Sequence, residues 1–359
     1  MGSKSNPGNF FEDFSLGQEI IHATPRTLTA GDAALYQGLY GSRFAVNSSA
    51  EFARGLGYRA TPIDDLLVFH IVFGKSVADV SLNAVANLGY AAGVFGRPVH
   101  AGDTLSARST VIGLKENSDG RTGVVYVRTA GLNQRQETVV DYVRWVMVRK
   151  RDPRSPKRGV PAPPARVPDL PDAVAADRIR APDGVTGRGY DPVAAGGPHL
   201  WDDYRTGERI DHLDGVTIEE AEHMTAARLY QNNARVHFDQ HAQKDDRFGR
   251  RIVYGGHVIS LARALSFNGL ANAFRVAAIN AGRHVAPSFA GDTIYAWSEV
   301  LAKDGIEGRD DLGQLRLRTL ALKNRPAGDF PGRGGDGKYD PAVVLDFDYW
   351  ALMPRRPAG

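Results

Sequence analysis

Within LYQNNARVHFD, residues 229 to 239, two amides, a guanidinium and an imidazole fall inside six positions: Asn232, Asn233, Arg235 and His237. An imidazole titrates close to neutrality, so it can give and take protons at ordinary pH. A guanidinium can hold a carboxylate through two parallel N–H bonds. Downstream, Tyr254-Gly255-Gly256 precede an apolar run. A helix that starts there presents backbone amides to a negative charge, and glycine lets a ligand approach them closely. The residue types on offer are therefore those of proton transfer beside a site for an anion.

Other chemistries find less support. His237 and His241 have helix-compatible spacing, but the carboxylate of an HExxH site and a third ligand are missing, so no metal is expected. The chain has no cysteine, which excludes disulfides, thiolate nucleophiles and Cys-based metal centres. No P-loop is present, and no GxGxxG follows a strand. Acids and bases alternate around a formal charge of +3, so a nucleic-acid partner is not expected. The start, MGSKSNPGNFFEDF, lacks an apolar signal core, and the run 66 to 74 is too short to span a bilayer. These features predict a cytoplasmic protein with no membrane partner.

The elements that must position His237 occur twice. FFEDFSLGQEIIH (10 to 22) matches LWDDYRTGERIDH (200 to 212), and pairing Phe11 with Trp201 sets the offset, 201 − 11 = 190. At that offset Tyr40 pairs with Tyr230 and Val46 with Val236, with no gap up to Val68 and Val258. His237 then answers Asn47, so only the second copy carries an acid or base there. Further on, HAGDTLSARSTVIGL (100 to 114) answers FAGDTIYAWSEVLAK (289 to 303), and VVDYVRWVMVRKR answers VLDFDYWALMPRR. The reading is a duplicated domain, 1–152 and 199–359, joined by a Pro-rich linker over 153–198. Residues 151–198 hold ten of the chain's twenty prolines, which favour extended chain. Each copy reads as a helical stretch (30 to 40; 219 to 231), a longer apolar helix (64 to 79; 254 to 268) and three or four strands. That predicts an α+β fold with one helix on an antiparallel sheet.

With these segments in hand, the pattern resembles the R-specific enoyl-CoA hydratases, the MaoC-like family, in their double hot-dog form. The family's Asp-x-Asn-Pro-Leu-His corresponds to Asn232-Asn233-Ala234-Arg235-Val236-His237. Its His-Gly at the central helix corresponds to the stretch ending Tyr254-Gly255-Gly256-His257, and RHVAPSFAGDT (283 to 293) resembles its Arg-Phe-x-x-Pro-Val-x-Pro-Gly-Asp-Thr. NPGNFFEDFSLGQ, SLNAVANLGYAAG and RTGVVYVRT sharpen the resemblance to members whose substrate carries a carboxylate on the β-carbon. The resemblance implies reversible hydration of mesaconyl-CoA to β-methylmalyl-CoA, as in the ethylmalonyl-CoA pathway. It implies no cofactor beyond the CoA of the substrate, an acyl-CoA as small-molecule partner, and a homo-oligomer.

Adding water to an enoyl thioester needs a base and a proton source, and donors for the thioester oxygen. The resemblance casts His237 as general base and acid, with Gly255 and Gly256 as oxyanion donors. Asn232 and Ala234 stand where the family has Asp and Asn, so the usual acid/base pair is incomplete. Asn232 is expected to orient water or to bond His237. An Asp there would repel the substrate carboxylate, for which Arg235 is the candidate cation, and Tyr254 is a candidate hydrogen-bond donor. Asp64 and Asp65 are expected to cap the first copy's helix, and Asp239 to brace the helix after it. His257 is expected to pack. The rivals are hydration of another short enoyl-CoA, a hot-dog thioesterase using a helix-start carboxylate, and an acyl-CoA-binding protein without turnover.

Overall fold

The computed structural model describes residues 4–154 and 167–357. Each copy runs through the same order of elements. The first has β1 (Glu19–Thr27), α1 (Ala30–Tyr40), short helices α2 (Ala45–Ser48) and α3 (Ala50–Gly55), and the central α4 (Asp65–Lys75). Strands β2 (Ala84–Phe95), β3 (Thr104–Glu116), β4 (Thr122–Leu132) and β5 (Thr138–Arg149) follow. The second has β6 (Arg209–Thr217), α5 (Glu220–Leu229), short α6 (Gln240–Gln243), the central α7 (Gly255–Leu265) and short α8 (Phe267–Leu270). It ends in β7 (Arg275–His284), β8 (Thr293–Ile306), β9 (Arg309–Lys323) and β10 (Val343–Pro354).

All ten strands form one sheet in the order β1-β3-β4-β5-β2-β7-β10-β9-β8-β6, antiparallel throughout. Read inward from either edge the order is identical, and the copies meet where Tyr90 to Val94 of β2 pair with Ala278 to Gly282 of β7. Strands β2 and β7 have no counterpart in the sequence reading. Ala84–Phe95 is rich in Ala and Gly and shows no clean alternation, so it lacks a strand signature. Gly89 leaves room for the Trp145 ring, and Gly93 for Ile279 of the other copy.

Helix α4, DLLVFHIVFGK, is buried on every side after its first residue, which is why its sequence has no polar face. It packs on β3, β4 and β5, while α7 packs on β8, β9 and β10. One apolar core runs through both copies, from Leu66 and Phe69 to Ile259 and Phe347. The copies also share a polar pair: His22 Nε2 meets Ser109 Oγ at 2.7 Å and His212 Nε2 meets Ser298 Oγ at 2.8 Å, each beside a threonine on the next strand. Residues 155–166 of the expected linker lie outside the described residues. From 167 onward it packs on the sheet through Val174, Ile179 and Val185, and Trp350 Nε1 donates to the Val174 carbonyl at 3.0 Å.

Candidate active site

The segment holding His237 is shaped by its own polar residues. Helix α5 stops at Tyr230, and Gln231 takes a positive φ of 55°. Asn232 is buried and its Oδ1 accepts from the Ala234 amide at 3.0 Å, an Asx turn that redirects the chain. A 3-10 turn over Arg235–His237 follows, and Asp239 Oδ1 caps α6 by accepting from the Ala242 amide at 3.0 Å. The Ile252 amide donates to the Val236 carbonyl at 3.0 Å and the Val253 amide to Ser288 at 3.0 Å. This pins the strand-like approach to α7 against the turn.

His237 lies at the centre of that arrangement, partly exposed. Its Nδ1–H donates to the Ile252 carbonyl at 2.9 Å. A carbonyl only accepts, so this bond fixes the proton on Nδ1 and leaves Nε2 with its lone pair. Desolvation lowers its pKa to about 4, against the opposing pull of the Ile252 carbonyl, so the ring is neutral at pH 7. The Tyr254 ring meets it edge to face, 5.4 Å between centroids. Tyr254 is the N-cap of α7 and supplies no side-chain cap, and among the described residues no other side chain accepts from the amides of Gly255 and Gly256. The Tyr254 hydroxyl is buried and has no partner among the described residues.

Both glycines are required by shape. A Cβ on Gly255 would overlap the His284 ring, and one on Gly256 would overlap the rings of Tyr254 and His70. The helix start is thus lined by His237, Tyr254, His284 and His70. His284 is a functional candidate that the sequence reading did not single out. Its Nε2 hydrogen-bonds Tyr90 Oη of the first copy at 3.1 Å, and burial lowers its pKa to about 4. The one signal was that RHVAPSF places His where the resembling motif has Phe. His257 Nδ1 joins Tyr40 Oη at 2.9 Å, and Tyr40 Oη meets Tyr230 Oη at 2.6 Å, a hydrogen-bonded chain across the copy boundary.

Asn232 makes no hydrogen bond to His237: its carbonyl serves the turn, and the His237 Nδ1 proton is committed to Ile252. Arg235 is exposed, and no acid pairs with it among the described residues. A cleft of about 440 Å³ at the far end of α7, beside Phe267 and Asn272, contains none of these residues.

The first copy differs at the corresponding helix start. Asp64 Oδ1 accepts from the Leu66 amide at 2.8 Å, so α4 closes its own start with a carboxylate at the position that answers Tyr254. Asp65 pairs with Arg275 at 3.5 Å, and burial raises its pKa to about 7 despite that arginine. The cavity left among Asn47, Pro62, Asp65 and Arg275 is only about 10 Å³, roughly one water. Among the described residues no group of three or more metal-ligating side chains gathers.

A family model described as mesaconyl-CoA hydratase matches residues 3–334. The chain belongs to the mesaconyl-CoA hydratase family. It is 66% identical to a protein of Chloroflexus aurantiacus named beta-methylmalyl-CoA dehydratase, over 99% of this chain and 100% of that one. A solved structure titled as a putative MaoC domain protein dehydratase, from the same organism, superposes with a TM-score of 0.95 at 66% identity, covering 99% of this chain and 100% of that one. A Mycobacterium tuberculosis protein described as having a double hot-dog fold superposes at 0.76 with 28% identity, covering 97% of this chain and 99% of that one. The family membership and the twice-built sheet make this hydratase a MaoC-like double hot dog. The candidate residues His237, Tyr254 and His284 gather in the second copy, with His70 and Tyr90 of the first copy beside them.

Proposed function

We propose that the protein is a hydro-lyase that interconverts mesaconyl-CoA and β-methylmalyl-CoA at the start of α7. The observation that carries this is the neutral His237, its Nδ1–H committed to the Ile252 carbonyl, facing a helix start that no side chain caps. Water attacks the β-carbon as Nε2 of His237 takes one of its protons. Charge moves through the conjugated system onto the thioester oxygen, where the Gly255 and Gly256 amides lie ready to receive it. The proton on Nε2 is then delivered to the α-carbon. One water O–H bond and the π bond between the α- and β-carbons break, a C–O and a C–H bond form, and His237 returns to its starting state. A single imidazole serves both transfers, which suits a site where Asn232 replaces a carboxylic acid. The sequence is redox-neutral, and CoA takes part only as the substrate's own thioester.

The family's names on either side of the reaction, a hydratase and a dehydratase, support reversibility. A thioesterase is not favoured, because Asp64 and Asp65 are held by the Leu66 amide and by Arg275. The wider setting, a cytoplasmic homo-oligomer in the ethylmalonyl-CoA pathway, rests on the family resemblance. No helix among the described residues is long and apolar enough to cross a membrane. The direct test is loss of the conjugated enoyl-thioester absorbance on adding the protein to mesaconyl-CoA. Water addition without free thiol supports the reading, and thiol release or an unchanged spectrum overturns it.

A further inference from the structure

Arg144 of β5 is wholly buried, 0% exposed, and has no acid beside it among the described residues. Nη2 donates to Ser76 Oγ at 2.8 Å and Nη1 to Ser81 Oγ at 3.3 Å, both neutral hydroxyls. Nε finds no acceptor among the described residues. A buried charge without a counter-charge is costly, and such charges persist where something pairs with them. Buried Lys150, by contrast, pairs with Glu116 at 2.8 Å.

The surroundings of Arg144 lead to the active site. Its guanidinium lies 4.2 Å from the Phe73 ring centre. Phe73 packs on Tyr254 at 5.5 Å and on Tyr90 at 6.0 Å. Tyr254 carries the unpartnered hydroxyl and touches His237, and Tyr90 bonds His284. Arg144 therefore stands directly behind the aromatic wall of the reaction centre. The repeat adds an independent argument. VVDYVRW on β5 answers VLDFDYW on β10, so Arg144 stands where the second copy has Tyr349, and Tyr142 where it has Phe347. Phe347 and Tyr349 simply stack, 5.0 Å apart, as core. The copy without the histidine carries a cation at a core position.

We propose that Arg144 receives the carboxylate on the substrate's β-carbon, through its Nε–H edge and with the Tyr254 hydroxyl as second donor, and so selects a dicarboxylate-derived enoyl thioester. This rests on the reading of the site as a mesaconyl-CoA hydratase. It assigns to Arg144 the task that the sequence suggested for Arg235. Arg235 is exposed and no side chain among the described residues holds it, whereas Arg144 is fixed by Ser76, Ser81 and Phe73. Phe73 covers one face of the guanidinium, so the carboxylate meets its edge, the geometry that suits paired N–H donors. The carboxylate is bonded to the carbon that takes up water, so its receptor must lie next to the base.

The test compares native protein, Arg144→Met and Arg144→Lys on mesaconyl-CoA and on tiglyl-CoA, which has a methyl in place of the carboxylate. Where tiglyl-CoA is not turned over, its constant as a competitive inhibitor replaces kcat/KM. The preference for mesaconyl-CoA is expected to fall about a hundredfold or more in Arg144→Met, the usual scale for deleting one member of a buried ion pair. Arg144→Lys is expected to fall between. Unliganded Arg144→Met is expected to melt no lower than native, since an apolar side chain replaces an unpaired charge. An unchanged preference in Arg144→Met, or an equal loss for both thioesters, overturns the proposal while native turnover of mesaconyl-CoA keeps the parent reading. Native protein inert toward mesaconyl-CoA overturns both.

Discussion

His237 and Asn47 make the same hydrogen bond at the same offset in the two copies. His237 Nδ1 donates to the Ile252 carbonyl at 2.9 Å, and Asn47 Nδ2 donates to the Pro62 carbonyl at 3.2 Å. Ile252 answers Pro62 at the offset of 190 that aligns the sequences. Both side chains supply the N–H that pins the turn to the approach of the central helix. Only the imidazole has a second nitrogen with a lone pair. The duplication has kept the structural half of the histidine in one copy and the whole of it in the other.

The helix starts diverge in the same sense. Asp64 fills the first copy's start by accepting from the Leu66 amide, and Gly256, which answers Leu66, has an amide that no side chain caps. Asp64→Ala is therefore expected to lower stability by about 1 kcal/mol, the usual worth of an N-cap, without raising hydratase turnover. Denaturant melts and initial rates on the variant check both halves. A rise in turnover would show that the first start is a latent site.

Gly256→Ala is expected to abolish most activity. The added Cβ must push apart the Tyr254 and His70 rings, and overpacking of this kind costs roughly 1–3 kcal/mol. Steady-state kinetics with a thermal melt separate the two effects: kcat/KM should fall by more than the melt alone accounts for. Native-like kinetics would show that the ring positions are not tied to the oxyanion site.

Acid should weaken the fold. Burial lowers the pKa of His237, His284 and His212 to about 4, and of His70 and His257 to about 3, from an ordinary 6.5. Between those values the unfolded chain binds more protons than the native one, so stability rises with pH through that window and falls as pH drops from about 6.5. Asp65, raised to about 7 chiefly by burial, and Asp64, also raised by burial, work in the opposite direction. The melting temperature is expected to drop by several degrees from pH 7 to pH 5. A flat or rising profile would mean that these imidazoles are not buried in solution.

Asn232→Asp is expected to preserve the turn, since a carboxylate accepts from the Ala234 amide as the amide oxygen does at 3.0 Å. It places a negative charge in a site whose substrate brings its own, so kcat/KM for mesaconyl-CoA should fall about tenfold, the effect of roughly 1.4 kcal/mol of repulsion. An equal or faster variant in the same assay would contradict this.

Much of this was legible in the sequence, and the reasons are physical. A repeat is visible because both copies must build the same sheet, and Gly17, Tyr40 and Val46 keep their places to do so. His237 stood out because its counterpart cannot titrate. Strands β2 and β7 did not, because the pairing that joins the copies runs through small residues without alternation. His284 and Arg144 were hidden for a different reason. Each acts across the copy boundary or behind an aromatic wall, through neighbours far away in sequence such as Tyr90 and Tyr254. Asn232 was identified by position, but its bond to Ala234 is a local turn that the motif alone does not reveal.

The most direct test of the central claim is His237→Asn, which turns the second copy's donor into the first copy's. Asparagine keeps an N–H for the Ile252 carbonyl and removes the lone pair that takes water's proton. With mesaconyl-CoA, loss of the enoyl-thioester absorbance should slow by about a hundredfold or more, as expected on deleting a general base, while the melting temperature stays near native. A His237→Asn protein that hydrates mesaconyl-CoA at close to the native rate would contradict the account and move the chemistry away from His237.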